Sequence, residues 1–87
     1  MIPKIKSVKP LENFILHVVF DSGEEVLYNV EEDIQNIPTY EDLKAIDGLF
    51  QRVQLDKSRT CAFWNDDIDL PSDIIYEYGV ESGVERR

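Results

Sequence analysis

The groups in this chain most able to do chemistry are its carboxylates, one histidine and one cysteine. Asn65-Asp66-Asp67-Ile68-Asp69 crowds acids and an amide together, a composition that can hold a hard cation through oxygen ligands. A calcium loop of the EF-hand type needs such ligands at positions 1, 3 and 5, a Gly at 6 and a bidentate Glu at 12. Counted from Asn65, positions 3 and 5 are Asp67 and Asp69, but position 6 is Leu70 and position 12 is Tyr76. The bend residue and the bidentate ligand are both missing, so no metal is expected. Asp69 is expected instead to serve a helix start, capping N–H groups and favouring the dipole.

Nucleophilic catalysis needs a nucleophile and a base held together. His17 is the only His and Cys61 the only Cys. Cys61 shares a strand face with Phe63, opposite the face of Trp64, and reads as a buried structural thiol. The carboxylate pairs Glu24/Glu25, Glu31/Glu32 and Asp66/Asp67 are sequence neighbours whose side chains point apart on a strand or turn, and general acid–base work needs perturbed acids in a pocket. No phosphate-cradling Gly loop and no nucleophile elbow occur. No catalytic residue and no cofactor are expected.

These residues ride on short elements. Over residues 14–20, Phe14, Leu16, Val18 and Phe20 alternate with Ile15, His17 and Val19, and Val26, Tyr28 and Val30 alternate with Leu27 and Asn29. The two runs flank Asp21-Ser22-Gly23-Glu24, a turn sequence, and predict a hairpin. Ile2, Ile5 and Val8 suggest an earlier strand ending at Pro10. Glu31-Glu32-Asp33 reads as an acidic break. Thr39 and Asp42 have capping-box spacing, so a short helix is expected to carry Tyr40, Leu43 and Ile46 to a stop at Gly48. Phe50–Asp56 and Thr60–Trp64 predict a second hairpin around Lys57-Ser58-Arg59. Pro71 suits the first turn of a final helix presenting Leu70, Ile74, Ile75 and Tyr78, stopped by Gly79. The expected architecture is α+β. Two antiparallel hairpins form a small sheet, with one short middle helix and one C-terminal helix packed on it. Residues 1–79 make one domain, and 80–87 a frayed tail.

The order and spacing of several short motifs resemble a bacterial family known as domain of unknown function 2442. They are Phe20-Asp21-Ser22-Gly23, then Leu49-Phe50 leading a strand, then Trp64, the spacer Asn65-Asp66-Asp67-Ile68, and Asp69-Leu70 before a helix reaching Tyr76. The match covers roughly residues 3–78. The resemblance implies a small α+β fold with two hairpins and a C-terminal helix, and no established activity. It also implies a regulatory or antitoxin-like setting. Some relatives resemble the N-terminal half of regulators carrying a helix-turn-helix, for which this chain has no room after residue 78. Others resemble proteins encoded beside another small protein. Asp67 stands where relatives often have Gly.

Charge narrows the function classes. Nine Lys and Arg against eighteen Asp and Glu give a formal net charge of −9 over 87 residues. Ten acids and one Lys fall in residues 11–50, and seven acids and no base in residues 65–85. Phosphate recognition needs clustered Lys and Arg, so nucleic acid is disfavoured as a partner. It would require Lys4, Lys6, Lys9, Arg52, Lys57 and Arg59 to converge. A lone Cys requires no oxidising compartment, no signal-peptide core or membrane-length apolar run occurs, and the expected location is the cytoplasm.

The expected function is non-enzymatic protein–protein contact, with a small basic protein or a second copy of the chain as partner. Two surfaces are candidates. One is an acidic rim of Asp66, Asp67, Asp69 and Asp73 beside Trp64, although a lone Trp ending a strand more often plugs a core. The other is the apolar outer face of the first hairpin, Ile15, Val19 and Leu27. A small-ligand pocket between sheet and helix is a further alternative.

Overall fold

Alternation in residues 15–29 resolves as the expected hairpin. Strand β2 (Ile15–Phe20) pairs antiparallel with β3 (Glu25–Asn29), setting Leu16 opposite Tyr28 and Val18 opposite Val26 on the buried face. Gly23 takes φ +97 in the turn, and the Phe20 N–H donates to Glu24 O at 2.9 Å. The computed structural model describes residues 2–81.

Strand β1 (Ile5–Leu11) flanks β2 and runs through Pro10 rather than ending there. It is an edge strand, where the missing N–H of Pro costs nothing. Its register slips between Ile5 and Ser7, leaving Lys6 as the extra residue of a bulge. The bulge explains how Ile5 and Val8, three apart, both turn towards the core. Asn13 and Phe14 then adopt positive φ (62 and 59) to reverse the chain. This is a poor conformation for an aromatic residue, costing about 1–2 kcal/mol. Two contacts offset it: Phe14 O accepts the Val30 N–H at 2.9 Å, and its ring meets Phe50 edge-on at 5.2 Å.

The middle of the chain departs from expectation. Glu31–Asn36 is a helix, α1, not a break. Three acids in its first turn suit the dipole, Asn29 Oδ1 accepts the Glu31 N–H at 2.9 Å, and Ile34 is buried. The next helix is split: a 3-10 turn over Pro38–Glu41 leads into α2 (Asp42–Ala45). No side chain caps either piece, so the Thr39/Asp42 box does not form. Tyr40 and Leu43 are buried, while Ile46 is exposed at the C-cap.

The second half builds a separate sheet. Phe50–Arg52 is a 3-10 turn rather than a strand. Strands β4 (Gln54–Leu55), β5 (Cys61–Asn65) and β6 (Ile68–Pro71) follow. The stretch read as an acidic turn entering a helix therefore contains a third strand. Ile68 and Leu70 face inward and Asp69 and Pro71 outward. The final helix, α3, spans Ser72–Tyr78 with Pro71 ahead of it, and β7 (Val80–Glu81) then joins β3. Residues 82–87, the rest of the expected tail, lie outside the described residues. The fold is α+β with two antiparallel sheets, not one, ordered β1-β2-β3-β7 and β4-β5-β6 around one apolar core.

One loop ties the sheets together. Asp56 Oδ1 accepts the N–H groups of Thr60 and Cys61, and its Oδ2 accepts the Ser58 hydroxyl at 2.8 Å. This holds Arg59 at φ 61. Arg59 O accepts the Ile5 N–H at 2.7 Å, and its guanidinium grips Asp21 at 2.7 and 3.0 Å. Beside it, fully buried Ser72 donates its hydroxyl to Pro3 O at 2.6 Å and its N–H to Thr60 O.

Two predictions test these joints. A Cβ on Gly79 would stand 2.1 Å from Val26 Cγ1 and 2.7 Å from Ile75 O. Gly79→Ala is expected to cost about 1–3 kcal/mol by overpacking, read as a fall in Tm of roughly 4–8 °C per kcal/mol. An unchanged Tm would show that the crossover can move off β3. The Arg59 guanidinium holds Asp21 below its ordinary 3.8, and the Ser58 hydroxyl with backbone N–H groups does the same for Asp56. A depressed carboxyl contributes stability that is present above its unfolded value and lost as pH falls through the folded one. Asp56→Asn is therefore expected to lower Tm at pH 7 and to narrow the gap between Tm at pH 7 and at pH 2.5. A gap as wide as in the native chain would remove Asp56 as a source of acid sensitivity.

Candidate functional site

Pairing in the first sheet places Lys9, His17, Leu27 and Val80 in one row across its outer face. The next row is Leu11, Ile15 and Asn29, and a third is Ser7, Val19 and Glu25. The outer face is thus apolar at one end, through Leu11, Ile15, Leu27 and Val80. At the other end it is polar, and His17 Nε2 meets Glu25 Oε1 at 3.0 Å. Directly opposed and diagonal neighbours on a sheet face touch one another, so the apolar end is a continuous surface.

That end is shaped into a groove of about 560 Å³, lined by Ile15, Leu27, Tyr28, Asn29, Glu32, Tyr78 and Val80. Its volume lies within the range of ligand-binding clefts. Tyr78 ends α3 and Val80 opens β7, and they are 67% and 64% exposed. Both stand there because Gly79 lets the chain cross against β3: its N–H caps Ile75 O at 2.9 Å, and no side chain separates it from Val26. Glu32 comes from the first turn of α1. Beside it, the Tyr28 hydroxyl donates to Asp33 Oδ2 at 2.6 Å. Burial, reinforced by Asp33, pushes the Tyr28 phenol well above its ordinary value, and burial does the same to Tyr40.

The groove unites Ile15 and Leu27 of the expected outer-face site. Val19, half-buried beside Ser7 and Glu25, lies outside it. Tyr78, Val80 and Glu32 were not foreseen as a group. The only signal for the first two was an apolar pair astride Gly79, and for Glu32 an acidic run that proved helical.

The acidic rim is differently placed. Asp66 and Asp67 sit in the β5–β6 turn, where Asn65 Oδ1 accepts the N–H groups of Asp67 and Ile68. Asp69 faces outward from β6 and caps no helix, since that strand delays the helix to Ser72; its carbonyl accepts the Tyr40 hydroxyl. Asp73 Oδ1 takes the Ile74 N–H at 3.0 Å. Trp64 does not join the rim. It is 4% exposed, donates Nε1–H to Phe50 O at 3.0 Å and stacks on the Phe50 ring. Among the described residues, no group of three or more His, Cys, Asp or Glu is placed to hold a metal ion.

His17 and Cys61 stand on different sheets. Burial pushes the half-buried Cys61 thiol up from its ordinary 9.0, away from the thiolate that nucleophilic chemistry needs. Among the described residues, no helix is long and apolar enough to cross a membrane.

The family described as "Protein of unknown function (DUF2442)" matches residues 5–81, from the first residue of β1 to the last of β7. The chain belongs to that family. The match takes in both sheets, all three helices and every residue lining the groove. No curated protein and no solved structure matches the chain.

A raised phenol carries stability that is complete below the unfolded value and lost as pH climbs through the folded one. Stability is therefore expected to fall above pH 10. Tyr28→Phe removes one such phenol and a hydrogen bond to a charged acceptor. It is expected to cost about 1.5–3 kcal/mol at pH 7 and to shrink the loss between pH 7 and pH 11, measured by urea unfolding. An equal loss in both proteins would mean that Tyr28 ionises as freely folded as unfolded.

Proposed function

We propose that this domain is non-enzymatic and works by contact with a protein partner, taken in the groove between β3, β7 and α3. The observation that carries the reading is the groove itself. Soluble domains scatter their exposed apolar residues, and contiguous exposed patches mark interaction sites. Here two largely exposed apolar residues, Tyr78 and Val80, adjoin Ile15 and Leu27 in one concavity. Tyr is also a residue type on which binding energy concentrates. A regulatory or antitoxin-like role needs partner contact rather than turnover, and such a surface suits it. The cytoplasm suits a chain whose one thiol has no disulfide partner. A nucleic-acid reading has less support, because Arg59, one of the six cations it would recruit, is engaged with Asp21.

The test is affinity purification of the tagged protein from its host, read by quantitative mass spectrometry and repeated with Tyr78→Ala. One protein is expected at near-equal stoichiometry with the native chain. Loss of a buried aromatic anchor typically costs 2 kcal/mol or more, so its recovery is expected to drop at least about tenfold. Tyr78 is exposed, so far-UV circular dichroism and Tm should not change. Recovery unaffected by Tyr78→Ala and by Val80→Asp would remove the groove as the contact.

A further inference from the structure

The three acids that open α1 are not equivalent. Glu31 pairs with Lys44 at 3.3 Å, and Asp33 accepts the Tyr28 hydroxyl. Among the described residues, Lys44 and Arg59 pair with Glu31 and Asp21, and His17 meets Glu25. Glu32 is exposed, has no such partner among them, and is the one acid lining the groove. Asn29 already accepts the Glu31 N–H on its Oδ1, the Tyr28 hydroxyl is spent on Asp33, and no Lys or Arg lines the walls. The groove is thus apolar with one negative charge that no Lys or Arg of the described residues pairs with, on a chain of net charge −9.

We propose that the groove is selective for a cationic amphipathic segment: an apolar side chain of the partner seats against Ile15, Leu27, Tyr78 and Val80, and a flanking Lys or Arg meets Glu32. This rests on the groove being the contact surface. Lys and Arg suit such a place because their aliphatic stems pack on apolar walls while the charged head reaches the rim. A second copy of this chain is a poor occupant, since it brings its own net charge of −9 to an acidic site. The field of an acidic surface steers basic partners and repels others.

The test uses the full-length protein, labelled with nitrogen-15, and three acetylated and amidated eight-residue peptides. Each alternates leucine with lysine, serine or glutamate. The lysine peptide is expected to shift the amides of Leu27, Asn29, Glu32, Tyr78 and Val80, and the glutamate peptide to leave them in place. Glu32→Lys should weaken the lysine peptide at least fivefold, as should raising salt from low to high ionic strength. Tyr78→Ala should weaken it at least threefold. If the serine peptide binds the groove as tightly as the lysine peptide, or Glu32→Lys changes nothing, cation selectivity is overturned and the groove reading stands. If no peptide shifts the groove amides, or shifts fall only at Asp66, Asp67 and Asp73, both readings fail.

Discussion

The packing of Trp64 is the constraint around which the rest is arranged. Its ring stacks on Phe50 at 6.0 Å and meets Tyr40 edge-on at 6.3 Å, and its N–H is anchored on Phe50 O. Phe50 in turn meets Phe14, over whose ring Lys44 lies at 5.7 Å. The series runs from the second sheet through the middle segment to the first sheet. The middle segment depends on it. Helices of six and four residues with one 3-10 turn between them have no independent stability. They are held because Tyr40, Leu43 and Phe50 are buried in the shared core. The Arg59–Asp21 clamp then joins the second sheet to the β2–β3 turn, at the corner where Ile5 also bonds the Arg59 carbonyl.

This dependence explains what could be read from residues alone. The β2–β3 hairpin was legible because period-2 alternation and a Gly turn are local signals that agree. That Cys61 and Phe63 share the face opposite Trp64 followed from the same alternation in β5, but the rim position given to Trp64 did not survive its burial. Three elements were not legible, each for a different reason. In α1 one buried residue, Ile34, gives no visible stripe, and the helix signal lies in charge at the first turn. In β6 the inward pair Ile68 and Leu70 is too short a run to stand out among acids. The division into two sheets depends on loop 56–60, whose shape is set by the hydrogen bonds of Asp56 rather than by an apolar pattern.

Part of the groove's lining was legible. Ile15 and Leu27 stood out because the hairpin had apolar residues to spare on the face turned from its core. Val19 looked equivalent, but register sets it opposite Glu25 and away from the apolar end. The walls supplied by Tyr78, Val80 and Glu32 could not be assembled in advance, because they come from the crossover after α3 and from α1. Gly79 illustrates the point. As a helix stop it suggests a left-handed cap, yet its φ is −77. What the position requires is the absence of a side chain, so that the chain can lie against Val26 and begin β7.

The same architecture ties recognition to stability. A chain of this length buries only about 60–65% of its unfolded surface, and the groove is walled by its least covered elements. Strand β7 pairs through two residues, and α3 ends on an exposed Tyr78. Short edge pairings and exposed helix ends of this kind open locally at low cost. A ligand that binds only the closed arrangement of β3, β7 and α3 stabilises the fold by mass action. It does so at the junction where Gly79 lets the chain lie against Val26. In a domain with this thin a margin, any occupant of the groove would also hold the sheet edge. Covering the apolar end of the sheet would complete the burial that two residues of β7 leave undone.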